Sequence, residues 1–515
     1  MTTQPTRTFA APADAPRHRS LVLSGGGMRL SYQAGVLRAL QEAGLSFQHI
    51  DATSGGAINL AMLLSGLSPT EMGERWTSLQ LRRSVSLMPL ESYLRQDRQV
   101  AMGSAEAFID YVYPHLGIDL ATVRGAQWLQ GTFNVFNYTR KVNEVIAHQD
   151  LVQELFVAGM SLPGVMPPVE WNGSVYLDSA FARDANLMEA VRRGAEEIWL
   201  VWCLGNSAEY RGGALQIYVQ MLEMAANASL NREFDDIAQL NTRIAAGDSP
   251  YGQRSPIRVH VIRPPHPLPL DTDLYLGRTD ARALIGMGYV DAQRYLATTT
   301  DEGDALNPET VMMTTAVPGI SFQETMQGNF ALGATEPDAG AAAGKAVGTT
   351  LAIHVTVTVR DLDRFVQDPN HNGTLAGTVD FAPLGLAMPT GEGIFRLFAP
   401  ADAADTTLMV YELPFERAGQ TYYLAGAKHV HDDPGFDLWS DTTTLYTRLY
   451  EGTDTTGPVV GAGVLRLDAV AFAKVAASVR AVDASSPVEA AKLIAQFGGF
   501  FARELWKSYA PAAFK

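Results

Sequence analysis

The sequence predicts a two-domain α/β chain. A three-layer α/β/α domain comes first, and a mainly antiparallel β-sandwich-like domain with a C-terminal helix follows. Three observations carry this reading. Short apolar runs alternate with helix-period segments through the first 300 residues, as in an open sheet covered by helices on both faces. From residue 351 the apolar period switches to two, with Leu351, Ile353, Val355, Val357 and Val359 alternating with more polar neighbours. Between these regions, residues 298–304 are polar and residues 336–349 are rich in Gly and Ala, which predicts a linker over 301–349.

The first domain, expected over 19–300, is organised around residues 20–64. Apolar runs at 21–23 and 47–52 read as buried strands, and each leads through a glycine-dense turn into a helix-period segment. The first turn is Ser24-Gly25-Gly26-Gly27-Met28-Arg29. Three successive glycines open backbone conformations closed to other residues and let N–H groups approach a ligand closely. The second turn, Ala52-Thr53-Ser54-Gly55-Gly56, sets a serine between strand and helix with small residues on both sides. This is the layout of a nucleophile elbow, with the positive end of the following helix aimed at the same place. An exposed nucleophile beside a nest of N–H donors makes up the two halves of an acyl-transfer site. A phosphate-binding P-loop is excluded because no Gly-Lys-Ser/Thr follows, and a dinucleotide fingerprint would need glycine where Leu30 stands.

Further along, residues 65–120 are mainly helical in pattern, 131–138 alternate as a strand, and 143–160 have helical period. Asn172-Gly173 is a hairpin signal between 168–171 and 175–177, and Asp178 follows that second strand directly. Helices are expected at 187–194, 214–246 and 278–297, with strands at 198–204 and 257–262.

Gly25-Gly26-Gly27-Met28-Arg29 followed by Ala52-Thr53-Ser54-Gly55-Gly56 resembles the patatin-like phospholipase family. Leu162-Pro163-Gly164-Val165-Met166-Pro167-Pro168 and then Val175-Tyr176-Leu177-Asp178-Ser179-Ala180 extend the resemblance, which covers about residues 20–300. It implies a serine–aspartate dyad without histidine, with Ser54 as nucleophile and Asp178 as its base. It also implies an oxyanion hole from Gly25, Gly26 and Gly27, with Gly55 contributing, and Arg29 in support. The implied activity is hydrolysis of acyl esters, with lipids as the expected substrates. The competing expectation is a catalytically weak lipid-binding or scaffolding protein on the same fold. It is motivated by three departures at family glycines, Leu30, Ala52 and Ser179.

Composition narrows the partners. The formal net charge of −16 makes nucleic acid a poor partner and disfavours broad docking on anionic lipid. The single cysteine, Cys203, rules out an intrachain disulfide framework and reads as a core thiol in an apolar strand. No Cys/His metal site is encoded, and no cofactor is expected. Residues 1–18 read as a disordered tail without the apolar segment of a secretory signal, and no apolar run reaches membrane-spanning length. A cytoplasmic location, with room for peripheral contact with a membrane, is the expectation.

The second domain, expected over 350–515, shows short alternating runs at 374–380, 394–398, 408–413, 421–424 and 444–450, the signature of an antiparallel sandwich or barrel. Residues 487–509 close the chain as an amphipathic helix expected to dock on the protein through Leu493, Phe497, Phe500, Phe501 and Leu505. Gly426-Ala427-Lys428-His429-Val430-His431-Asp432-Asp433-Pro434-Gly435 is similar to part of an all-β module appended to some flavin-dependent sterol oxidases. It implies no flavin, because Gly461-Ala462-Gly463 has Arg466 where a third glycine belongs. Asp368-Pro369-Asn370-His371-Asn372-Gly373 matches half of a calcium loop, but Val379 stands where the bidentate glutamate belongs, so a turn is expected. His429, His431, Asp432, Asp433 and Asp437 are likewise read as turn and surface residues rather than as a metal site.

Overall fold

The computed structural model describes residues 8–12, 17–80, 83, 86–87, 101, 103–206, 210, 212–268, 280–313, 317–401, 406–431, 442–484 and 486–509. Asp432, Asp433 and Asp437 of the histidine–aspartate stretch lie outside the described residues. The chain divides into two compact units, one of residues 1–275 and 291–314, the other of 276–290 and 315–515.

The first unit is built on an eight-stranded mixed sheet. Its strands are β1 (Arg19–Leu23), β2 (His49–Thr53), β3 (Gln130–Asn137), β4 (Val142–Ala147), β5 (Val169–Trp171), β6 (Ser174–Asp178), β7 (Glu197–Val201) and β8 (Arg258–Ile262). The order is β8-β7-β1-β2-β3-β6-β5, with β4 also paired to β3. The five strands from β8 to β3 are parallel, and β4, β5 and β6 add antiparallel pairings. The central strands β1, β2 and β7 are buried almost throughout, and Leu21, Leu23, Ile50, Ile198 and Leu200 are fully buried. Helix α1 (Ser31–Glu42) follows β1, and α2 (Gly56–Leu64) follows β2. The 32-residue α3 (Ala214–Ala245) buries Leu222, Ala226, Leu230, Phe234, Ile237 and Leu240 at helical spacing.

The hairpin at Asn172-Gly173 forms as expected, with both residues in the left-handed region at φ 46° and 72°. Two expectations are corrected. Residues 142–147 are a strand rather than the start of a helix, because they turn back at Lys141 (φ 60°) and pair with β3. Phe9, inside the stretch 1–18 expected as a disordered tail, is buried against Phe47 at 5.5 Å between ring centroids, and its carbonyl accepts the Phe47 N–H.

The second unit has the expected antiparallel sheet, and that sheet closes into a barrel. The strands are β9 (Gly319–Leu332), β10 (Thr350–Val359), β11 (Asn372–Phe381), β12 (Gly393–Pro400), β13 (Thr406–Arg417), β14 (Gln420–His431), β15 (Thr444–Glu451) and β16 (Val459–Arg466). Of ten strands in this sheet, Gly385–Pro389 and Arg480–Val482 are appended, and the other eight pair in chain order. Pairing of β16 with β9 closes the ring, which leaves no free edge among the eight. Alternate side chains face inward and fill the barrel, among them Ile353, Val357, Leu375, Val379, Phe395, Leu424 and Leu449.

Within that core, Lys428 Nζ donates to Glu324 Oε1 at 2.6 Å, and the Tyr411 hydroxyl donates to Glu324 Oε2 at 2.7 Å. The closing helix Pro487–Tyr509 docks as expected, with Leu493, Phe497 and Phe500 buried and Phe497 5.8 Å from Phe322.

The stretch 301–349 is not a linker in the structure. Residues 301–314 belong to the first unit, Gly319–Leu332 is a barrel strand, and Pro337–Val347 is a helix. The small residues expected to prevent packing are what permits it. A Cβ on Gly344 would meet the Phe330 backbone N and O at 2.5 and 2.6 Å, so the helix seats directly on strand β9.

Candidate active site

Ser54 follows β2 in the left-handed region at φ 53°, a strained conformation for a residue with a side chain. Its carbonyl accepts the Ala57 N–H at 3.0 Å as the chain turns into α2, so the hydroxyl stands at the N-terminus of that helix. The small neighbours are required by contact. A Cβ on Gly56 would meet the Leu23 and Ser24 carbonyl oxygens at 2.5 and 2.7 Å, and one on Gly55 would run into Leu30.

Asp178 ends β6, and its N–H donates to the Ser161 carbonyl at 3.0 Å, which ties it to the loop before the Pro-Gly-Pro-Pro segment. The Ser54 hydroxyl donates to Asp178 Oδ2 at 2.6 Å, and the Ala180 N–H donates to Oδ1 at 2.8 Å. Burial pushes the Asp178 carboxyl up to about 7, against the lowering effect of those two hydrogen bonds. Of the histidines weighed as third members, His115 pairs with Ser78 and His148 with Gly131 and Ala126. Among the described residues, no histidine hydrogen-bonds to Ser54 or Asp178.

The glycine turn lies against this pair. Gly25 and Gly26 are buried, and Gly27 adopts φ 62°. Arg29 Nε donates to the Gly26 carbonyl at 2.9 Å, so the arginine braces the turn. Asn59 of α2 donates to the Leu30 carbonyl and to Gln33 Oε1, each at 3.0 Å, while Gln33 donates to the Ser24 carbonyl at 2.7 Å. These side chains hold the two turns together. No acceptor faces the backbone N–H of Gly26, Gly27 or Gly55 among the described residues. The three departures from family glycines sit in ordinary backbone: Leu30 and Ser179 are helical, at φ −72° and −81°, and Ala52 is in β2. None of them demands a glycine's freedom.

Three participants were not legible in the sequence. Asp184 is 1% exposed and its carboxyl lies against Gly25, where only a poorly aligned Gly25 N–H approaches it. Burial, then the charge of Asp178, push this carboxyl up to about 8. Behind Asp178, Ser179 bonds Asn143, Asn143 bonds Asn134, and Asn134 bonds the buried Asp51 in one chain. Tyr218 of α3 donates to the Pro163 carbonyl at 2.6 Å and packs edge-on against Phe181. Each reaches the site through the fold, with no motif to announce it.

Cys203 is buried beside Gln33, and burial pushes its thiol up to about 12, so it is a core thiol. Asp368 accepts the Asn370 and Asn372 N–H groups at 2.9 and 3.2 Å, the turn expected in place of a calcium loop. No group of three or more potential metal ligands occurs among the described residues, and no helix among them is long and apolar enough to cross a membrane.

Comparison with known proteins bears on the same residues. Lysophospholipase NTE1 of Candida glabrata is 27% identical over 190 residues, 35% of this chain and 10% of that protein. The Kluyveromyces lactis protein of the same name is 27% identical over 188 residues, 35% of this chain and 12% of its own length. The chain thus spans about a tenth of the length of these curated relatives. A crystal structure of VipD from Legionella pneumophila aligns over 55% of this chain and 67% of that one, at 13% identity and a TM-score of 0.28, too distant to carry an argument. The family model described as patatin-like phospholipase matches residues 21–191, which include the glycine turn, the elbow serine and Asp178. Residues 21–191 therefore belong to the patatin-like phospholipase family.

Proposed function

We propose that the chain is a lipid acyl hydrolase working through a Ser54–Asp178 dyad. The observation that carries this reading is the 2.6 Å hydrogen bond from an elbow serine to a buried carboxylate inside the matched residues. Ser54 Oγ attacks the ester carbonyl carbon as its proton passes to Asp178, and the carbonyl π electrons move onto oxygen. The oxyanion rests on the N–H groups of Gly26, Gly27 and Gly55 at the positive end of α2. Gly25, expected to donate as well, also lies against the Asp184 carboxyl.

Collapse of the tetrahedral intermediate breaks the bond to the alcohol, which takes the proton from Asp178. Water then attacks the acyl-enzyme, gives its proton to the same carboxylate, and releases the acid with Ser54 regenerated. A carboxylate is an ordinary weak base, and burial that brings it near 7 is what fits it for this task. The relatives' name, lysophospholipase, supports a single-chain phospholipid as the first lipid to try.

The test is hydrolysis of a chain-length series of p-nitrophenyl esters and of a lysophospholipid by the wild type and by Ser54→Ala. Turnover that vanishes in the variant, with folding intact, is the expected result. Equal turnover in both removes Ser54 as nucleophile, and none in either favours a binding protein on this fold.

A further inference from the structure

Helix α3 carries an exposed stripe that changes character along its length. Ile217, Met221, Met224 and Ala228 recur at helical spacing on the face opposite the buried one, and the first three are 38%, 50% and 59% exposed. Leu215, 49% exposed, adds to the same end. Further along, the same stripe continues as Arg232, Asp235, Gln239 and Thr242, the usual solvated face of a surface helix. Single exposed apolar side chains are ordinary, but a continuous run on a face that later turns polar is not. The sole charged side chain between Ala214 and Asn231 is Glu223, which lies on another side of the helix, beside Gly205.

The apolar end adjoins the candidate site. Tyr218, within the same turns, bonds the Pro163 carbonyl and packs on Phe181, three residues after Asp178. Val165, in the same loop as Pro163, is 37% exposed, and Tyr210 is 74% exposed. The net charge of −16 gives no attraction to an anionic surface, and the apolar part of the stripe, before Arg232, offers no cation.

We propose that Ile217, Met221 and Met224 seat the first unit on a zwitterionic lipid surface by apolar insertion, beside the Ser54–Asp178 site. The inference rests on the acyl-hydrolase reading for its choice of occupant, and it deepens that reading by naming how the site meets aggregated substrate. Met side chains suit a surface whose packing varies from lipid to lipid.

The experiment uses the full chain carrying Ser54→Ala, so that vesicles persist and binding is read without turnover. Cosedimentation with phosphatidylcholine vesicles should show partitioning that added salt does not weaken and added phosphatidylserine does not strengthen. Met221→Glu with Met224→Glu should lower the partition coefficient about tenfold or more, the scale of losing two buried apolar side chains. Met221→Gln with Met224→Gln, milder for folding, should fall in between, and melting curves of all three should coincide. Undiminished partitioning in the double Glu variant, or no partitioning by the parent, overturns the proposal. So does concentration-dependent self-association without vesicles that the same substitutions abolish, which would assign the stripe to a second copy. Because ester hydrolysis by the wild type is measured separately, the dyad and the lipid-facing stripe can fail independently.

Discussion

Asp178 stands opposite Val135 in the sheet, one residue beyond the Asn134 that pairs with Thr53. That register brings Ser54 and Asp178 to the same height on either side of β3. Because antiparallel β6 overlaps only the last three residues of β3, Val135 to Asn137, the carboxylate stays at the edge where the parallel strands end. The 2.6 Å contact follows from strand pairing, so it tolerates little change in side-chain length. Asp178→Asn and Ser54→Ala should each remove nearly all ester hydrolysis, by similar factors, since two residues acting as one unit are not additive. Asp178→Glu should fall short of wild type by about 100-fold or more, because one methylene misplaces the base. Steady-state rates on a soluble ester check all three. Wild-type activity in Asp178→Asn would remove it as the base.

The pH dependence has a definite sign. A base must be deprotonated, and the Asp178 carboxyl lies near 7, so kcat/KM should rise through about pH 7 toward a plateau. A limb near pH 4 would place the carboxyl at its ordinary value and contradict the burial argument.

Stability should run the other way in the first unit. Asp51 is pushed up to about 8 and Glu233 to about 7, in both cases chiefly by burial. The folded state therefore holds protons that the unfolded chain releases near pH 4. The stability these groups contribute is fully present below about pH 4 and is lost as pH rises through 7 to 8. The first unit's Tm should decline across that window, and Asp51→Asn should flatten the decline. A Tm that climbs from pH 5 to 8 with an unchanged slope in the variant would contradict it.

In the barrel, Lys428 and Glu324 are 2% and 4% exposed and compensate each other. Lys428→Met should destabilise the second unit by about 3–5 kcal/mol, because it strands a buried carboxylate. Lys428→Met combined with Glu324→Leu should recover most of that loss, leaving chiefly the unpartnered Tyr411 hydroxyl. Denaturant melts of the two variants decide it, and equal losses in both would refute the pairing argument.

Gly344→Ala should destabilise the second unit by about 1–3 kcal/mol, since the added Cβ falls on the Phe330 backbone, which cannot swing aside. Gly348, in the left-handed cap of the same helix with open space around it, should lose about 1 kcal/mol on change to Ala through conformation alone. A Gly344→Ala variant as stable as wild type would show that the helix can lift from the strand.

What the sequence determined by itself were features written in neighbouring residues. The triple glycine, the elbow around Ser54, the Asn172-Gly173 hairpin and the closing helix depend on backbone sterics and short periods, so their signals are local. The strand at 142–147 was hidden because its turn uses Lys141 in the left-handed region, where no glycine marks it. Tertiary structure alone decided barrel over sandwich, because closure rests on β9 pairing with β16, more than a hundred residues away. It also decided that Gly340 and Gly344 seat a helix instead of loosening a linker, and that Asp184 and Tyr218 stand beside the dyad. Alternating side chains specify which face of a strand is buried, but which strand lies next to it is settled only when the whole sheet pairs.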